Sequence, residues 1–227
     1  MLVLRGLIGG LFQVALFAAL LLVPAGTWQW PRAIQFLATY AILVSVSIVA
    51  LARYAPASLE ARLMSPYSEK QPVADRIASA FLFVSLLAWL VFIPIDVFRL
   101  RLLPPPNLGV SMLGVVLWHA GFGVIMTALL QNAFAAPIVT DQSERGQVLI
   151  DTGLYGRIRH PFYLGLLLFL AGLGLWLDSY ASVLALPVPL TGLLARIRVE
   201  EKTLVEALPG YADYTQRVRD RLIPFVW

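Results

Sequence analysis

Charge in this chain is gathered into short stretches, and the runs between them carry none. Residues 6–31, 33–52, 77–95, 102–140, 160–177 and 179–195 contain no Asp, Glu, Lys or Arg. A run of ~20 apolar residues crosses a bilayer as a helix. The pattern predicts six transmembrane helices, over residues 7–23, 33–53, 76–97, 108–131, 161–177 and 179–195. Pro24, Gly26 and Pro31 mark the first turn, where Trp28 and Trp30 suit an interfacial aromatic belt. Leu103-Pro104-Pro105-Pro106-Asn107 is a sharp break, and Asp178-Ser179 a tight turn. Pro187 and Pro189 soften the last span. The fold class expected is all-α: a polytopic membrane protein with a C-terminal helical hairpin and an amphipathic tail over 196–227. Two regions follow, four N-terminal spans over 1–135 and a hairpin-plus-tail region over 136–227. The first apolar stretch exceeds the ~7–15 residues of a signal-peptide core, so a retained span is expected.

Composition narrows the class. Hydrophobic residues make up 59% and charged residues 13%, about half the charge usual for a soluble domain. A water-soluble enzyme, a DNA-binding domain and a disordered chain are excluded. With no cysteine and two histidines, thiolate chemistry is absent and no metal site is expected. The net charge of +4 comes without a basic tract interleaved with aromatics, so no nucleic-acid partner is expected. With the N-terminus inside, fourteen Lys and Arg fall in inner segments and three (Arg32, Arg99, Arg101) in outer loops. This asymmetry predicts both termini on the cytoplasmic side. Fifteen Arg against two Lys and the compact N-terminal part favour a bacterial inner membrane over the endoplasmic reticulum.

The polar residues of the last third form a constellation. Arg157, Arg159 and His160 stand at the start of the fifth span, and Pro161 suits the first turn of a helix. A helix N-terminus there favours an anionic group. From Pro161 to Asp178 is 17 residues, and from Asp178 to Ala195 another 17, so both arms are about 25 Å long. The hairpin thus returns Arg196, Arg198, Glu200 and Glu201 to the depth of Arg159 and His160. Taken singly, these residues read as positive-inside anchors and solvated helix positions. Together they read as a site, with Tyr211, Tyr214 and the run Arg217–Arg221 close behind.

Arg159-His160-Pro161-x-Tyr163-x-Gly165, preceded by Gly153-x-Tyr155 and followed by Glu200-Glu201, resembles the isoprenylcysteine carboxyl methyltransferase family. Phospholipid methyltransferases share this C-terminal half. Gly210-Tyr211-x-x-Tyr214-x-x-Arg217-Val218 and Leu222-Ile223-Pro224 resemble the family tail, so the resemblance covers about residues 140–224. It implies S-adenosylmethionine as methyl donor, S-adenosylhomocysteine as product, and a lipophilic or prenylated acceptor reached from the bilayer. Carried over by position, donor contacts fall on Gln147, Val148, Leu149, Ile150, Tyr155, His160, Pro161, Phe162, Tyr163 and Glu201. Eukaryotic members have histidine where Gln147 stands. Their substrate-binding arginine aligns to Ile197, which Arg196 and Arg198 flank. Either arginine would orient an acceptor, and Glu200 would serve as base for an amine acceptor.

Two other readings stand beside this one: a sterol-reductase-like membrane reductase, and a non-enzymatic transporter or assembly protein. Elsewhere, His119 is expected to make an interhelical hydrogen bond. Asp96 is expected to pair locally with Arg99 or Arg101. Gly6, Gly9, Gly10, Gly172 and Gly174 are expected to permit close helix packing. The mixed-charge segment 60–75 reads as solvated surface.

Overall fold

A computed structural model describes residues 1–64, 71–134 and 146–227. Lys70 and Arg145, both counted in the orientation argument, lie outside the described residues. The described residues hold helices and no strands: α1 (Leu2–Ala25), α2 (Pro31–Tyr54), α3 (Pro56–Arg62), α4 (Val73–Ile95), α5 (Leu108–Gln131), α6 (Pro161–Trp176), α7 (Tyr180–Leu184), α8 (Pro187–Ala207) and α9 (Tyr211–Arg217). The chain is an all-α polytopic membrane protein. Its spans expose apolar side chains such as Phe12, Ile42, Phe83 and Val116. A bilayer tolerates such an exterior and water does not.

Two local rules set most helix ends. Proline at N1 opens α2, α3, α6 and α8, where its missing N–H costs nothing. Gly26, at φ +69°, closes α1 by donating to the carbonyls of Leu22 and Val23. Pro24 does not end α1 as expected, but sits inside its last turn.

The six expected spans differ in length. Five stretches are long and apolar enough to cross a membrane, while α6 has 16 residues. At 1.5 Å per residue it is about 24 Å long, short of a ~30 Å hydrocarbon core. The last span is also not one helix. It breaks between α7 and α8, and α8 then continues past Ala195 to Ala207. No proline interrupts the sequence between Pro189 and Pro209, so the charged residues expected in a separate tail extend the membrane helix instead.

Three other expectations are also corrected. Of the segment 60–75, expected to be solvated surface, residues 65–70 lie outside the described residues; Ala61, Gln71 and Asp75 are buried, while Glu60, Met64, Val73 and Ala74 are exposed. Asp96 makes no ion pair with Arg99 or Arg101 among the described residues. It accepts from the Ser179 hydroxyl (2.7 Å) and the Leu102 amide (3.0 Å), which ties the widened turn after α4 to the α6–α7 turn. His119 reaches no other helix; its Nδ1 bonds the Val115 carbonyl one turn back (2.8 Å).

The helices converge on an aromatic core of Phe36, Tyr40, Trp118 and Phe169, with Phe17 against it. A seam of glycines joins α5 to α6 backbone to backbone. A Cβ on Gly121 would collide with the Phe169 amide and the Gly165 carbonyl, and one on Gly172 with the Trp118 amide and the Gly114 carbonyl. Gly6 and Gly10 admit Ile48 and Val44 of α2 in the same way. Small residues permit such approach, and dispersion then holds the pair in lipid. Meanwhile α8 packs on α4. The two arms of the hairpin thus lean on different partners and leave room between them at one end.

Gly172→Ala is expected to destabilise the protein by about 1–3 kcal/mol through overpacking. Gly123→Ala, which meets open space, is expected to be neutral or better. Thermal unfolding of both variants in one detergent checks the pair.

Candidate active site

Three segments meet at the end of the bundle that also holds Leu2 and Trp227. They are the loop 146–160, the first turn of α6, and the polar half of α8. Glu201 ties them together. Its Oε1 accepts from Arg159 Nε (2.6 Å) and lies 3.2 Å from His160 Nε2. Its Oε2 accepts from Arg221 Nε (2.8 Å) and Arg159 Nη2 (3.4 Å). Arg159 also donates to the carbonyls of Val218 (2.7 Å) and Arg219 (3.0 Å). The amides of Arg159 and His160 donate to the carbonyls of Asp220 and Arg221. The tail is therefore fastened to the start of α6 by main chain and side chain at once.

The loop is fastened from its other side. Leu154 donates its amide to Gln131 Oε1 at the end of α5 (3.0 Å). Gly153, at φ +61°, lies so close to that Gln131 side chain that a Cβ would not fit. The Tyr214 hydroxyl donates to the Tyr155 carbonyl (2.7 Å). Burial pushes the Tyr155 phenol up to about 12 and raises those of Tyr211 and Tyr214 as well. All three therefore stay neutral at physiological pH.

These walls enclose a cavity of about 230 Å³. Of the expected donor contacts, Gln147, Val148, Leu149, Ile150, Tyr155, His160, Pro161, Phe162 and Tyr163 line it. Glu201 does not; it stands behind the wall, committed to Arg159, His160 and Arg221. Of the expected catalytic residues, Arg196 and Glu200 line the cavity, whereas Arg198 is exposed and turned away. Ile197, where the family's arginine aligns, is fully buried. The Tyr163 hydroxyl donates to Glu200 Oε2 (2.8 Å) and accepts from Arg196 Nε (2.9 Å). Arg196 reaches Ser79 by a short hydrogen bond and Asp75 at 3.9 Å. A buried polar chain thus runs from α4 through α8 to the mouth of α6.

The free helix N-terminus expected at α6 is reduced. Pro161 has no N–H, the Tyr163 amide donates to the His160 carbonyl, and the His160 amide is held by Arg221. Sequence reasoning also missed four groups: Arg62, Asn132 and Leu82 in the lining, and Asp75 behind Arg196. The signal for Arg62 was Leu59 and Leu63 at helical spacing beside it, which turns the short segment inward. Nothing in the sequence paired Asp75 with Arg196. No group of residues suited to holding a metal ion occurs among the described residues.

Residues 110–209 match the phospholipid methyltransferase family. The chain is 37% identical over 91 residues to the protein-S-isoprenylcysteine O-methyltransferase of Saccharomyces cerevisiae, which is 39% of this chain and 38% of that protein. It is 39% identical over 75 residues to the cobalt-zinc-cadmium resistance protein CzcN of Cupriavidus metallidurans, covering 32% and 34% of the two chains. The chain spans just over a third of the length of these relatives. The stretch matched by the family model contains the motif from Arg159 to Gly165. The matched region begins inside α5, earlier than the motif resemblance. The glycine seam is the physical reason, since α6 has no fixed place without α5.

Removing the Glu201 carboxylate leaves Arg159 largely buried and without its partner, at a cost of about 3–5 kcal/mol for a group this deep. Glu201→Ala is expected to loosen the tail, so that limited proteolysis cuts within 208–224 much faster than in the parent. Arg198→Ala is expected to leave the cleavage pattern unchanged.

Proposed function

We propose that the protein is an integral-membrane methyltransferase that moves a methyl group from S-adenosylmethionine to a lipophilic acceptor and leaves S-adenosylhomocysteine. One observation carries this reading. The cavity combines a carboxylate (Glu200), a cation (Arg196) and aromatic rings (Tyr155, His160, Tyr163, Tyr211) with apolar walls beside the membrane helices. Those groups fit the donor, which bears a cationic amine, a sulfonium and an anionic carboxylate. Glu200 suits the cationic end. The ring of Tyr163, stacked on His160 at 5.6 Å, suits a sulfonium through its π face. Bound there, the donor supplies an electrophilic methyl group.

The chain's own contribution is positioning and exclusion of water. Tyr163 holds Glu200 and Arg196 in fixed places, so two opposite charges face the cavity without collapsing onto each other. Arg196 orients an anionic acceptor oxygen, which needs no base. For an amine acceptor, Glu200 takes the proton. Tyr211 and Tyr214 cover the cavity from the tail side, and Leu82, Phe162 and Leu166 form walls continuous with the apolar helices. Both termini lie at the cavity end of the bundle, and the fourteen-to-three distribution of basic residues puts that end in the cytoplasm. The membrane is a bacterial inner membrane.

Calorimetric titration of the detergent-purified protein with S-adenosylhomocysteine tests the reading. Binding is expected in the parent and in Arg198→Ala. Tyr163→Phe, which disconnects Glu200 from Arg196, is expected to weaken binding by on the order of tenfold. A parent protein that does not bind the product refutes the assignment.

A further inference from the structure

Arg62 lies outside the region that matches the family, yet it lines the cavity. It ends the short helix α3, and its guanidinium sits 4.5 Å over the ring of Phe162. Its Nε is fully shielded and has no hydrogen-bond partner, and Arg62 makes no ion pair among the described residues. The nearby carboxylates are engaged: Glu200 accepts from Tyr163, and Glu201 from Arg159 and Arg221. Burial lowers the Arg62 guanidinium to about 10, the direction expected when desolvation outweighs charge pairing. A cation placed this way is costly until an anion meets it.

The surroundings say which anion. Phe162, on which Arg62 rests, packs on Ile48, Leu51, Leu59 and Leu129, the apolar cluster between α2, α3 and α5. The opposite wall, Gln147 to Ile150 with Tyr211 and Tyr214, belongs to the loop and tail. Arg62 thus stands on the side of the cavity formed by the apolar helices, opposite the loop and tail, which is the side suited to a molecule with an apolar tail.

We infer that Arg62 is an acceptor-binding residue, which selects acceptors carrying a carboxylate or phosphate on an apolar tail. The inference rests on the methyltransferase reading and names the acceptor class for that same cavity. Arginine suits the task because its planar fork binds either anion bidentately while one face stays on an aromatic ring.

The test compares three pairs of probes in maltoside detergent: N-acetyl-S-farnesylcysteine and its carboxamide, dodecanoate and dodecanol, dodecyl phosphate and dodecanol. Apparent affinity is read from ligand-dependent thermal stabilisation. The parent protein is expected to prefer the anion by on the order of tenfold in at least one pair. The carboxylate and phosphate arms show which anion it takes. Arg62→Gln is expected to abolish that preference, and Arg62→Lys to retain part of it. Unchanged S-adenosylhomocysteine affinity in Arg62→Gln shows that the variant is folded and that Arg62 serves the acceptor. A tenfold loss there, with Arg62→Lys restoring it, assigns Arg62 to the donor carboxylate and overturns the inference. So does an anion preference that survives in Arg62→Gln, or no anion preference in any pair for the parent. Failure of the parent to bind S-adenosylhomocysteine refutes the methyltransferase reading, whatever the probe pairs show.

Discussion

Glu201 is the point on which the polar end of this protein depends. A single carboxylate, 8% exposed, takes Arg159, His160 and Arg221 from two separate segments and holds them against α8. Coulomb attraction at such depth is several times stronger than in water. It gains further from bonds that satisfy the remaining donors, and Arg159 spends those on the carbonyls of Val218 and Arg219. Without the carboxylate, three positively charged or polar groups would face one another at the start of α6, and the tail would keep only its bonds to the Arg159 and His160 backbone, the Tyr214–Tyr155 bond and its apolar contacts. The neighbouring Glu200 differs in kind. Tyr163 alone holds it, and it faces the cavity. Two consecutive carboxylates therefore divide the work: one builds the wall, and the other is presented through it.

The cavity exists because the hairpin is not a closely packed hairpin. The glycines of α5 and α6 let those two backbones touch, and that contact draws α6 away from its sequence neighbour α8. The break between α7 and α8 gives the second arm the freedom to settle on α4 instead. At the far end the turn is fixed by Arg32, which donates to Ser111, to the Trp176 carbonyl and to Asp178. From this clamped turn, α6 and α8 meet through Leu164, Leu167, Leu193 and Ile197 and are bridged at the polar end by Arg196, Tyr163 and Glu200.

Much of this was legible from the positions of charge alone. Uncharged runs located the membrane helices, and arm lengths brought Arg159 and His160 to the level of Glu200 and Glu201. The period of α8 carried information that the expected boundary at Ala195 concealed. Residues four apart share a helix face, so Arg196 goes with Glu200 and Ile197 with Glu201, while Arg198 points elsewhere. Had the helix been drawn through the charged stretch, the choice between Arg196 and Arg198 would have been settled by geometry. Asp75 and Arg62 were hidden for a different reason. Both lie in a mixed-charge stretch between spans, which local pattern reads as solvent-facing. Their burial comes from long-range packing, through Leu59 on the α2–α5 cluster and through Arg196 reaching across from α8.

That packing bears on how the cavity is built. The region that matches the family model supplies most of α5 and all of α6 and α8, yet it does not enclose the cavity by itself. Leu82 and the Asp75–Ser79 support for Arg196 come from α4, Arg62 from α3, and the covering tyrosines from the tail. The motif residues line the cavity from the loop and from α6, whereas the contributions from before residue 110 come from α3 and α4. Helices that resemble relatives only in being apolar are free to vary wherever they face lipid. Where they face the cavity, each polar residue among them must be paired or bonded, because an orphaned charge at that depth costs several kcal/mol. Asp75 meets that condition with Arg196 and Gln71. Arg62 is only half-buried, rests on Phe162 and lines the same cavity as Glu200. The N-terminal helices, whose sequence says least, therefore supply part of the cavity wall.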